Sequence, residues 1–82
     1  MRILPLHAEL SSFLVKRGLM GRFLKQKELF EANPRHPGLN VELLEPKHLR
    51  LWSFRVDRTY RAVFIFRNRD EIEVIDVNNH YR

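Results

Sequence analysis

The sequence predicts an α+β fold in which two N-terminal helices pack on a small antiparallel β-sheet. Three observations carry this expectation. Apolar residues fall at helical spacing as far as Ala32, and after Gly38 they give way to short runs of β-branched and aromatic residues divided by polar turns. The third is size: 82 residues with 44% hydrophobic content can build one thin core but not two. A helical apolar stripe and a sheet with an apolar face each need a cover, and here each supplies the other's. Residues 1–82 are therefore expected to form a single domain.

Arg2 to Leu4 is a short candidate strand, closed by Pro5. Leu6, Leu10, Phe13 and Leu14 mark one helical stripe, and Leu19, Met20, Phe23, Leu24 and Phe30 mark another, with Gly18 as the break between them. The second helix should stop near Asn33, because Pro34 disfavours helical geometry in the residue before it and Pro37-Gly38 continues the interruption. Leu39 to Leu44 is the next candidate strand. Leu51 to Val56 and Tyr60 to Phe66 read as a hairpin turning at Asp57-Arg58-Thr59, and Glu71 to Val77 returns after Asn68-Arg69-Asp70. In the strand from Tyr60 to Phe66, residues Tyr60, Ala62, Phe64 and Phe66 face one way and Val63 and Ile65 the other, so both faces are apolar and the strand is expected at the centre of the sheet.

The net charge is +5 and the isoelectric point about 10.2, which favours polyanionic partners in general. The charge is also local. From Lys47 to Arg69 the chain carries Lys47, Arg50, Arg55, Arg58, Arg61, Arg67 and Arg69 against the single acid Asp57. Six of these seven cations are arginine, whose fork suits phosphate and whose plane stacks on bases. A solvated charged face is the plain alternative. The absence of cysteine removes disulfides and thiolate chemistry. No apolar run approaches the roughly 20 residues that span a bilayer, and the segment before Pro5 is too short for a signal peptide, so a cytoplasmic protein without membrane contact is expected.

The sequence contains no metal-binding cluster, glycine-rich phosphate loop or Ser-His-Asp pattern, and it implies neither metal nor other cofactor. Its chemistry must come from basic, acidic and aromatic side chains. If Val56 pairs with Tyr60, Arg55 lies opposite Arg61 on one face of adjacent strands, a destabilising pair unless an anion or an acid lies between. A shift of one residue would separate the two. His80-Tyr81 follows the last strand, in a position from which a short tail can reach the sheet, although terminal residues more often fray. Glu42 falls in the first strand after the helices, where a glutamate ordinarily faces solvent. His7, His36 and His48 share no metal-ligand spacing, and Lys47-His48 opens the basic stretch. Trp52 and Phe54 are expected in the core.

Four segments in order resemble the RelE/ParE toxin superfamily: Asn33-Pro34-Arg35-His36-Pro37-Gly38-Leu39, Leu51-Trp52-Ser53-Phe54-Arg55-Val56, Tyr60-Arg61-Ala62-Val63-Phe64, and Ile72 to Val77 leading into His80-Tyr81. The ending is similar to the YoeB-like branch, whose members cleave messenger RNA in the ribosomal A site. The resemblance implies the same helices-on-sheet fold. It places the branch's strand arginine on Arg61, its closing pair on His80 and Tyr81, and its glutamate, ten residues before the tryptophan, on Glu42. The sequence departs from the pattern in the additional Arg82 and in the short first strand.

Metal-free RNA cleavage needs a base for the ribose 2′-hydroxyl, donors for the phosphate and an acid for the 5′ leaving oxygen. On this reading Glu42 is the base, Arg61 with Arg55 the clamp, and His80 or Tyr81 the acid, with Tyr81 also able to stack on a base. Lys47, His48, Arg50, Arg55 and Arg58 would hold RNA. The implied partners are a cognate antitoxin, the ribosome and messenger RNA. A ParE-like poison of DNA gyrase, acting by protein contact, and a catalytically degenerate antitoxin-binding member are the alternatives. The sequence carries no signal for oligomeric state.

Overall fold

The computed structural model describes residues 1–80. Two helices, α1 (Ala8–Lys16) and α2 (Met20–Ala32), cover one face of a five-stranded sheet formed by β1 (Arg2–Ile3), β2 (Glu42–Leu43), β3 (Trp52–Arg55), β4 (Arg61–Phe66) and β5 (Glu71–Asn78). Gly18, at φ 68°, takes the left-handed conformation that ends α1. The N–H groups of Gly18 and Leu19 donate to the carbonyls of Val15 (3.0 Å) and Leu14 (2.8 Å), so the last turn is satisfied and the chain reverses directly into α2. The second helix stops at Ala32 with Asn33 already extended, as Pro34 requires.

The strand expected over Leu39 to Leu44 is shorter, and the reason is local. Pro37–Leu39 closes a 3₁₀ turn in which His36 Nδ1 accepts the Gly38 N–H at 2.9 Å, and Asn40 follows at φ 46°, so only Glu42 and Leu43 pair with β3. The spatial order is β1-β5-β4-β3-β2, which puts β4 in the middle. Its two apolar faces explain that position. The antiparallel meander of β2 to β5 is as expected, but β1 adds to β5 in parallel, so the sheet is mixed. A parallel neighbour needs a crossover, and here the chain between β1 and β5 contains both helices and the strands β2 to β4.

The hairpin register follows from its turn. Asp57 Oδ1 accepts the N–H groups of Thr59 (2.8 Å) and Tyr60 (2.6 Å), and Val56 N–H donates to the Tyr60 carbonyl at 2.9 Å. Arg55 then faces Arg61, Ser53 faces Val63 and Glu42 faces Ser53. On the opposite face Phe23, Phe30, Phe54 and Phe64 are buried with ring centroids 5.5–6.1 Å apart, and Leu14, Leu39 and Ile72 complete the packing. Phe54 lies inside as expected, whereas Trp52 is only half-buried where the helical cover ends. The outer edge of β1 is blocked: its Ile3 N–H, which points away from β5, donates to Glu31 Oε2 of α2 at 2.9 Å.

Phe54 touches three other rings and has no exposed surface. Phe54→Ala should therefore lower unfolding stability by about 3–5 kcal/mol, a large part of what so small a domain has. Urea denaturation followed by far-UV circular dichroism checks this.

Candidate functional site: a buried guanidinium on the helix-free face

Alternation along the strands places Glu42, Ser53, Arg55, Arg61 and Val63 on the face that the helices leave uncovered. Arg61 is the unusual member, because only 7% of its surface is exposed. Two of its three nitrogens are committed. Nε donates to Ser53 Oγ at 2.8 Å, and Nη2 donates to the carbonyl of Asn40 and, at 3.4 Å, to that of Ser53. Asn40 can aim its carbonyl inward because it takes the left-handed conformation, which asparagine tolerates better than most residues. Among the described residues Nη1 makes no hydrogen bond, so one edge of the fork is left for an incoming acceptor.

Glu42 Oε2 lies 3.8 Å from Nη2, with about half of the Glu42 side chain in solvent. Desolvation pushes the Arg61 pKa below its ordinary value; Glu42 pulls it back, and Arg55, directly opposite, adds a smaller downward push. A guanidinium keeps its proton under any physiological condition, so the net effect is a cation short of compensating negative charge. An anion would relieve that shortage. Arg55 is exposed, and its backbone carbonyl accepts from Gln26 Nε2 at 2.7 Å. The same Gln26 group donates to the Gly38 carbonyl at 3.2 Å, which ties α2 to both segments that frame Arg61.

The structure brings Glu42, Arg55 and Arg61 together. His80 lies two residues beyond Asn78, the register partner of Arg61; it is exposed, and its N–H donates to Asn78 Oδ1 at 3.1 Å. Tyr81 lies outside the described residues. The basic residues divide. Arg58 belongs to the turn next to Arg55 and Arg61, whereas Lys47 and His48 form a 3₁₀ turn, followed by Arg50 at φ 57°, at the other end of β3. His7 pairs with Glu73 at 2.7 Å and His36 caps its own turn, so both histidines have local partners. Among the described residues no three His, Asp or Glu side chains converge as metal ligands would.

Sequence reasoning missed Ser53, Asn40 and Gln26. For Ser53 a signal existed, since a serine two residues before Arg55 must share its face and a small hydroxyl there can meet a long side chain from the neighbouring strand. For Asn40 and Gln26 there was none, because a backbone carbonyl can accept from any direction that the turn allows.

No family model matches the sequence, and no curated protein does. Solved structures do match. A YoeB/ParE toxin from Agrobacterium tumefaciens superposes with a TM-score of 0.70 at 17% identity, covering 99% of this chain and 100% of that one. A copper-bound single-substitution mutant of a toxin from Helicobacter pylori gives 0.68 at 15% identity, covering 96% and 91%. The fold is thus the RelE/ParE-like toxin fold that the motif series implies.

Ser53→Ala leaves the buried Arg61 Nε–H without its acceptor and should cost about 1–3 kcal/mol. In an Arg61→Leu background the same change should cost little, so a double-mutant cycle by urea denaturation should show coupling of at least about 1 kcal/mol.

Proposed function

We propose that this chain is the toxin of a type II toxin-antitoxin pair and that it cleaves messenger RNA in the ribosomal A site without a metal. The observation that carries the reading is the Arg61 guanidinium, buried, held at Nε and Nη2, and with no hydrogen bond at Nη1 among the described residues, beside a half-exposed carboxylate. A side chain recruited only for solubility would not be desolvated in this way. The fold shared with solved toxins supports the same reading.

In the proposed reaction the scissile phosphate sits between Arg61 Nη1 and Arg55 and supplies the negative charge that the opposed arginines lack. As the phosphate takes over Arg61, Glu42 is released from its 3.8 Å contact to act as a base. It removes the proton from the 2′-hydroxyl, whose oxygen attacks phosphorus as the bond to the 5′ oxygen breaks. His80, with Tyr81 beside it in sequence, returns a proton to that leaving oxygen, giving a 2′,3′-cyclic phosphate and a free 5′-hydroxyl. Arg58 extends the positive surface at this end of the hairpin. The ribosome supplies the remaining order by presenting the codon in one geometry, which is a large share of what a small catalyst lacks.

Brief induction followed by primer extension on a reporter messenger RNA should reveal cuts within codons that depend on translation. Arg61→Ala should abolish them, and Glu42→Gln should weaken them by about 10²- to 10⁴-fold. Growth arrest without cuts would instead identify a gyrase poison, and neither effect a degenerate antitoxin-binding domain.

A further inference from the structure

The turn between α2 and β2 is stitched together more tightly than a surface connection requires. Asn33 Oδ1 accepts the Arg35 N–H at 3.1 Å, and the Asn33 carbonyl accepts the His36 N–H at 3.0 Å. The carbonyls of His36 and Pro37 then accept the N–H groups of Leu39 and Asn40 at 3.0 and 3.1 Å. Because His36 Nδ1 takes the Gly38 N–H, the proton of the neutral imidazole stands on Nε2. Glycine at 38 allows the ring its place, since a Cβ there would come within 3.1 Å of Nδ1. Pro34, Arg35, His36, Pro37, Asn40 and Val41 line a groove of about 460 Å³. Among the described residues the Arg35 guanidinium, His36 Nε2 and the Asn40 carboxamide make no hydrogen bond or ion pair, so a well-fixed backbone presents three idle polar groups. The groove also adjoins the arginine site. Asn40, whose carbonyl accepts from Arg61 Nη2, contributes its side chain to the groove, and Val41 directly precedes Glu42.

We propose that this groove takes one base of the RNA next to the scissile phosphate, adenine by preference. The proline rings and the His36 imidazole supply walls for a flat heterocycle. The Asn40 carboxamide sets a donor beside an acceptor, the match for the N7 and the 6-amino group of adenine. Arg35, the only formal charge in residues 32–41, meets a neighbouring phosphate. A segment of a partner protein fits worse, because apart from the prolines the groove holds a single aliphatic side chain, the half-buried Val41, and lacks the large apolar surface on which a docked helix anchors. The proposal rests on the reading of the chain as an RNA-cleaving toxin and adds to it a source of sequence preference within the toxin itself.

Proton–nitrogen correlation spectra of the full chain test this directly, because the Gly38 amide and the Asn40 side-chain NH₂ report on the groove while Arg61 Nε–H reports on the clamp. The chain should be titrated with 2′-O-methyl trinucleotides, which lack the attacking hydroxyl, carrying adenine, uracil or no base at the central position, and with a glutamate-bearing peptide. Saturable shifts of Gly38 and Asn40 are expected with the adenine trinucleotide, weaker ones with uracil, and none with the abasic chain or the peptide. Asn40→Gly removes the carboxamide but keeps the carbonyl that Arg61 uses and suits the left-handed backbone; it should weaken adenine binding about fivefold or more and bring the adenine-to-uracil ratio toward one. Arg35→Ala should weaken both trinucleotides alike and lower their salt dependence. Circular dichroism should show both variants folded. Shifts confined to Arg61 Nε–H, equal affinity for the adenine and abasic chains, or a response to the peptide in place of RNA would each overturn the proposal. Primer extension is a separate readout: groove shifts in a chain that makes no cuts would overturn the nuclease reading and support the base subsite, whereas cuts from a chain without groove shifts would do the reverse.

Discussion

Two like charges facing each other across adjacent strands repel, and the rest of the molecule is arranged around how that repulsion is contained. Arg55 keeps its side chain in water while Arg61 is taken inward, where the cost of desolvation falls on a single guanidinium. Ser53 Oγ, the Asn40 carbonyl and, more weakly, Glu42 offset part of that cost. Each compensation fixes something else. Ser53 must stand opposite Glu42 in the register, Asn40 must be left-handed, and the turn before it must be tight enough to bring that carbonyl under the sheet. Gln26 then couples this frame to α2, so that the packing of the core and the position of the guanidinium are not independent.

The central strand serves both sides. Ala62 and Phe64 seal the helical core, whereas Arg61 and Val63 build the opposite face, with Val63 buried beside the arginine. A strand with two apolar faces is ordinarily a sign of burial in a three-layer protein. Here one layer is missing, and the arginine with its acceptors partly takes its place. This also explains how a domain with so little interior can hold a charge rigidly: the position is set by strand pairing, which needs no extra core.

Much of the architecture was legible in the residues. The helix break at Gly18, the stop at Asn33 before Pro34, and the central position of the strand ending at Phe66 all follow from local rules that tertiary contacts did not override. The register of the arginine pair was left open by the residues, and the fold settles it through the Asp57 side chain, which caps the following N–H groups and sets the length of the turn. What could not be read were facts of three-dimensional proximity. Nothing in Arg2 to Leu4 says that it adds in parallel beside a strand near the other end of the sequence, and nothing in Leu39 to Leu44 says that a histidine cap converts its beginning into a 3₁₀ turn. The basic stretch misled in a related way. It is continuous in sequence but divided in space, because a hairpin sends the residues before and after a strand to opposite ends.

The pairing of β1 with β5 carries a consequence for the order of assembly. Arg2 and Glu71, joined at 3.0 Å, are 69 residues apart in the chain, and Ile3 becomes an interior residue only through the same contact. Loop closure over that distance is entropically costly, and contacts of this kind lengthen folding times. During synthesis the helices emerge first and have no floor to pack on. The hairpin that positions Arg61 comes later, and the edge strand waits for β5, so the guanidinium acquires its full set of neighbours near the end of assembly. A nascent chain stalled before β5 therefore leaves Ile3 and the free edge of β4 without their neighbour, a state in which it is prone to association.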